Sequence, residues 1–151
     1  MDILRVARAG GVNLFDNAET YGAPQGAAEA VMGEAIARLT AEDPDGWRRS
    51  DYLVTTKMFW GGPGVNEMGL SRKHIREGLD ASLARLQTDY VDLLFCHRPD
   101  PWTPTETVVR AMTEVVRDGR AHAWGTSEWS AQQITEAFWI ARSMGLSLIH
   151  I

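Results

Sequence analysis

The sequence predicts a parallel α/β fold, in which strands and helices alternate and consecutive strands are joined by right-handed crossovers. Short apolar runs occur at VNLFD, YLVTTK, YVDLLFC and AHAWG. Segments with helical spacing separate them, and glycine, proline or serine stands where each helix must start or stop. A doubly wound open sheet and a (β/α)8 barrel are both built this way.

In chain order, Ile3, Leu4 and Ala7 share one face of a first helix that Gly10 and Gly11 close. VNLFD then reads as a short buried strand. Val31, Ala35, Ile36 and Leu39 set a second helix, which the polar stretch TAEDPDGWRRS ends before YLVTTK. Ser71 is the expected N-cap of a third helix with the stripe Ile75, Leu79, Leu83 and Leu86, followed by YVDLLFC. Thr103, Pro104 and Glu106 match the N-cap, first and third positions of a capping box, ahead of Val108, Met112, Val115 and Gly119. AHAWG is the fourth strand, and Ser130 with Gln133 opens a last helix through Ile134, Ala137, Phe138 and Ala141 to Gly145. No repeat or linker marks a domain boundary.

Composition removes several classes of function. A net charge of -5 and a sequence pI near 5.3 argue against nucleic acid, and no apolar stretch approaches the length needed to insert in a membrane. The single cysteine, Cys96, lies in an apolar run without His or Cys at metal-ligand spacing, so neither a disulfide nor a metal is expected. With a charged N-terminal segment in place of a signal peptide, a cytoplasmic protein is the expectation.

In barrels the chemistry collects where strands end and βα loops begin. Asp16 ends the first strand, Lys57 the second, His97 follows the third, and Tyr21 sits in the first of these loops. Each alone reads as an ordinary structural residue. Together they describe a proton donor: an unperturbed phenol titrates near pH ~10, an adjacent ammonium stabilises the phenolate, and a carboxylate keeps that ammonium charged. So Asp16 would hold Lys57, Lys57 would acidify Tyr21, and His97 would orient a carbonyl oxygen. No side chain supplies hydride, which implies a nicotinamide cofactor. His74, expected on an exposed helix face, and His122, near a strand start, are given no role.

GVNLFDNAETYG, TTKMFWGG, GLSRKHI, LARLQTDYVDLLFCHRPDP and WGTSEWS, in this order, resemble the aldo-keto reductase superfamily, most closely its branch of potassium-channel beta subunits. The likeness runs from about residue 9 to residue 145. It implies a (β/α)8 barrel and NADP(H), with Tyr21 as general acid supported by Asp16, Lys57 and His97. It also implies cofactor contacts from Asp16, His97, Ser127 and Glu128. By the same carry-over Trp60 lines the substrate pocket; as a loop aromatic it could equally cover core. Animal channel beta subunits commonly carry Asn where this chain has His97, and Arg where it has Glu128. His97 restores the full reductase tetrad.

A barrel needs eight strands and typically ~250 residues, so the resemblance implies a partial barrel lacking its first strand and its C-terminal half. Residues 1–145 would be part of an NADP-dependent oxidoreductase domain. The segment 146–151, LSLIHI, is strand-like, but it is also the translation of a transposase recognition sequence used in sequencing-library adapters, and a non-native tail is expected there. The expected partners are a small carbonyl substrate and, when the protein is full length, further copies of itself. The alternative function is that of a regulatory beta subunit that binds the cytoplasmic domain of a potassium channel and uses NADP(H) as a redox sensor. The truncated chain alone is expected to be inactive, because such barrels usually bind the cofactor phosphates with loops after strands 7 and 8.

Overall fold

A computed structural model describes residues 2–146. The elements are α1 (Asp2–Ala9), β1 (Leu14–Asp16), α2 (Ala27–Glu42), β2 (Leu53–Met58), α3 (Arg72–Leu86), β3 (Val91–Cys96), α4 (Thr105–Arg117), β4 (Ala121–Thr126) and α5 (Ala131–Ser143). The strands form one parallel sheet in the order β1-β2-β3-β4. Helices α2 to α5 pack on one another in that same order. A doubly wound sheet reverses its strand order at a switch point, whereas an order that never reverses, with helices in step, is the arc of a barrel. The fold is therefore a partial (β/α)8 barrel, with the carboxyl ends of all its described strands on one side.

The alternation of β2 explains how the sheet serves two purposes. Val54, Thr56 and Met58 face the helices, where Thr56 donates to the buried Glu29 of α2 and Met58 lies against Gly78 of α3. Thr55 and Lys57 project to the opposite face, where both reach Asp16. The core between sheet and helices is filled by the predicted stripes: Ile75, Leu79, Leu83 and Leu86 of α3 and Val108, Met112 and Val115 of α4 are all buried. The helix starts are as the sequence predicts at two places. Ser71 Oγ accepts the His74 N–H, and Ser130 with Gln133 forms a complete capping box.

Other expectations are corrected. Helix α4 begins one residue later than predicted, with Pro104 as N-cap and no side-chain cap, because the Thr103 hydroxyl is drawn to Asp100 Oδ2 at 2.7 Å. The strand expected over VNLFD is limited to Leu14–Asp16, and only Phe15 within it is buried, since β1 is an edge of the described sheet. Two members of the apolar helical spacings do not pack inward: Ile3 and Val31 are 83% and 67% exposed. His74 is not exposed: it is 3% accessible and paired with Glu19. The expected tail, apart from Leu146, lies outside the described residues. Leu146 packs partly on the core and donates its N–H to the Ala141 carbonyl.

Candidate active site

The parallel register places the strand ends side by side. Asp16 pairs with Thr55, and Met58 with Cys96, which pairs in turn with Thr126. Backbone bonds continue the pairing into the loops: the Asn17 N–H reaches the Thr55 carbonyl, His97 that of Met58, and Ser127 that of Cys96. Every predicted site residue is therefore carried by a strand end or by the loop just after it.

Lys57 is the centre. Its side chain is 11% exposed, and its Nζ donates to Asp16 Oδ2 at 2.5 Å, to the Asn17 carbonyl at 2.8 Å and to the Tyr21 hydroxyl at 3.4 Å. An ammonium has three protons, so these partners use all of them and fix its direction. Asp16 is held on its other oxygen by the Thr55 hydroxyl at 2.5 Å. Tyr21, 38% exposed, offers its hydroxyl to that ammonium and remains open to the mouth of the site. The chain turns sharply right after it. Gly22 has φ +98, and a Cβ there would come within 2.8 Å of the Ala28 nitrogen, whose N–H caps the Tyr21 carbonyl.

His97 completes the group. Its ring meets Tyr21 edge-on with centroids 5.7 Å apart and Trp60 at 5.0 Å. Burial, then the neighbouring Lys57 ammonium and Arg98 guanidinium, hold its proton affinity below the usual histidine value, so a neutral imidazole is favoured. Its Nδ1 is buried without a hydrogen-bond partner. Arg98, next in sequence, donates to the His97 carbonyl, lies over the Trp60 indole and pairs with Glu128 at 3.0 Å. Glu128 adopts the left-handed conformation with φ 56.

The structure thus brings Asp16, Tyr21, Lys57, His97 and Trp60 into one cluster, with Ser127 and Glu128 at the adjoining end of β4. The sequence reading missed the groups that brace it: Thr55, the Asn17 carbonyl and Glu19. Thr55 was accessible from the period of two that separates it from Lys57. No group of acidic, His or Cys residues suited to a metal occurs among the described residues.

An arc of a (β/α)8 barrel with its ionisable cluster at the strand carboxyl ends defines the class, a barrel whose candidate site is built from its βα loops. The chain belongs to the aldo/keto reductase family, whose model matches residues 1–150. It is 59% identical over 144 residues to a "Probable voltage-gated potassium channel subunit beta" of Arabidopsis thaliana, and 57% identical over 144 residues to a protein of the same description from Oryza sativa subsp. japonica. Each match covers 95% of this chain and 42% of the relative, so the chain spans less than half the length of these relatives. No helix among the described residues is long and apolar enough to cross a membrane.

Proposed function

We propose that this segment carries the proton-donating half of an NADP(H)-dependent carbonyl reductase, with an aldehyde or ketone as substrate. The observation that carries the reading is the Lys57 ammonium, locked by Asp16 and the Asn17 carbonyl and donating its third proton to the Tyr21 hydroxyl. The bond fixes the Tyr21 hydroxyl at the open mouth, where it is placed to give its proton to a carbonyl oxygen. A neutral His97 can donate its ring N–H to the same oxygen and align it. The indole of Trp60, against His97, forms one wall.

A nicotinamide dinucleotide fits these residues. The buried, unpartnered Nδ1 of His97 marks an inner surface that awaits a polar ligand atom. Ser127, Glu128, Asp16 and His97 would hold the nicotinamide end, which when bound supplies the hydride. The domain so defined is residues 1–145, cytoplasmic, with 146–151 as a non-native tail. Activity belongs to a longer product, and residues 1–151 alone do not turn over.

The test follows NADPH absorbance with an aromatic aldehyde. In the complete gene product, Tyr21→Phe should lower kcat by roughly 100-fold or more with little change in NADPH affinity. Undiminished turnover in Tyr21→Phe overturns the assignment. The second reading, a regulatory channel subunit, is favoured by what the two plant relatives are called. Capture of the complete product by a potassium channel's cytoplasmic domain, together with slow wild-type turnover, would replace the first reading with it.

A further inference from the structure

Outside the proposed tetrad, two more ionisable side chains are buried together, and the mechanism above does not use them. Glu19 lies between Asp16 and Tyr21 in the loop after β1, and its side chain is 1% exposed; His74, in the first turn of α3, is 3% exposed. Glu19 Oε1 accepts the Phe59 N–H at 2.5 Å and meets His74 Nε2 at 3.0 Å. The Glu19 backbone N–H donates to the Lys57 carbonyl at 3.2 Å. One residue therefore grips the end of β2 from both sides of Met58.

The surroundings are fitted to this pair. A Cβ on Gly61 would fall 2.3 Å from His74 Cε1, and one on Gly78 would fall 2.9 Å from Glu19 Oε2. Two glycines thus leave the room the pair occupies. The backbone that carries the ring is fixed in turn by the helix cap, since the His74 backbone N–H donates to Ser71 Oγ at 3.1 Å. A buried carboxylate costs several kcal/mol in lost hydration, and an apolar pair of similar volume is often as stable or more so. Overall stability is thus a weak reason for such a pair, and a single fixed register for the loops it joins is a stronger one.

We propose that Glu19 and His74 are positioning residues, which lock the Tyr21 loop to the end of β2 and so set Tyr21 and Trp60 against His97. Tyr21 follows Glu19 by two residues in a tight turn, its N–H bonded to the Ala18 carbonyl at 3.0 Å, so a shift at Glu19 is carried to the phenol. Trp60 follows Phe59, whose N–H Glu19 holds. The catalytic part of this proposal rests on the carbonyl-reductase reading, while the placement of Tyr21 does not.

The experiment uses the complete gene product labelled with 3-fluorotyrosine, with the Tyr21 fluorine resonance assigned through Tyr21→Phe, alongside NADPH turnover of an aromatic aldehyde. Glu19→Gln keeps an acceptor for the Phe59 N–H and should keep the Tyr21 resonance in place and kcat within about threefold. Glu19→Ala should shift or split that resonance, leave those of Tyr52 and Tyr90 unmoved, and lower kcat by about 100-fold with KM nearly constant. His74→Leu, which spares the Glu19 bond to Phe59, should fall between the two. A folded Glu19→Ala protein with an unmoved Tyr21 resonance overturns the proposal. So does displacement of the Tyr52 and Tyr90 resonances along with that of Tyr21, or failure of both Glu19→Ala and His74→Leu to fold, since either result assigns the pair to the fold at large. If wild type and Tyr21→Phe turn over equally, the reductase reading fails, and the fluorine spectra still decide the positioning role.

Discussion

At the carboxyl end of the sheet Lys57 lies between Asp16 and Tyr21, and at the amino end Arg49 lies between Asp92 and the rings of Tyr52 and Tyr90. Cation, carboxylate and phenol are present at both ends, yet they are arranged for different work. The Lys57 ammonium is 3.4 Å from the Tyr21 hydroxyl and 4.8 Å from the ring centroid, so it addresses the oxygen that would carry charge. The Arg49 guanidinium lies over the faces of Tyr90 and Tyr52, at 4.2 Å and 5.2 Å, and bonds Asp92 at 2.6 Å and the Tyr52 carbonyl at 2.8 Å. Asp92 also takes the Val54 N–H at 2.7 Å and so ties the starts of β2 and β3 together. Burial pushes the Tyr52 phenol above its ordinary range in spite of the cation beside it. Tyr52 is 5% exposed and Tyr21 38%. The cation therefore points at the tyrosine oxygen where the phenol opens on the mouth, and braces the fold where it stacks on buried rings.

The largest expected effect separates the two ends by mutation. Lys57→Met should lower kcat of the complete gene product by roughly 100-fold or more. It should change stability by within about 1 kcal/mol, because Asp16, 46% exposed, stays hydrated without its partner. Arg49→Met should do the reverse. It leaves Asp92, 17% exposed, without its counter-ion and removes the stacked cation, which costs about 2–4 kcal/mol in urea unfolding. Turnover per folded molecule should then stay at the wild-type level. Equal losses of kcat from both variants would erase the distinction between the ends.

The contrast also explains what the sequence made legible. Asp16, Lys57 and His97 were found because strand ends can be located from apolar runs and a barrel gathers those ends. Local spacing alone left a barrel and a doubly wound sheet open, because strand order is a non-local property. The partial barrel was legible only through the family resemblance of motifs such as GVNLFDNAETYG and TTKMFWGG. Glu19 and Asn17 escaped because their partners are distant in sequence, Lys57 in β2, Phe59 just after it and His74 in α3. His74 was misread as exposed, although it continues a row with Gly78 and Ser82 at spacing four on α3, and small residues in such a row signal close approach. Thr103 has the right offset for a cap, but Asp100, which also takes the Leu70 and Trp102 N–H groups, claims its hydroxyl.

A smaller effect sharpens the picture at the carboxyl end, where the helices begin. Ser71→Ala should cost about 1 kcal/mol by removing the cap of α3. Since the same oxygen fixes the His74 backbone, the loss should be accompanied by a measurable shift of the Tyr21 fluorine resonance. Ser130→Ala removes the cap of α5, which has no such link to Glu19, and should cost a similar amount with Tyr21 unmoved. Identical spectra for the two variants would detach the start of α3 from the site.

The smallest effect lies in the pH dependence of stability, where the two ends should act on opposite flanks. His97 is held below its ordinary value of 6.5 by burial first and by the Lys57 and Arg98 charges next. Between that lowered value and 6.5 the unfolded chain binds more protons at this position than the folded one, so stability rises with pH across the window and is lost as pH falls. Tyr52 is raised above 10.0, chiefly by burial. Above pH 10.0 the unfolded phenol ionises while the folded one keeps its proton, so stability is lost as pH rises. Asp100 also acts on the acid flank: burial would raise its value, but bonds from the Leu70 N–H, the Thr103 hydroxyl and the Trp102 N–H hold it below 3.8, so its window is separate and lower. Unfolding midpoints in urea, measured from pH 4.5 to 10.8, should therefore flatten on the acid side in His97→Gln and on the alkaline side in Tyr52→Phe, each leaving the other flank unchanged. A flank that survives its own substitution would mean that another group at that end titrates in its place.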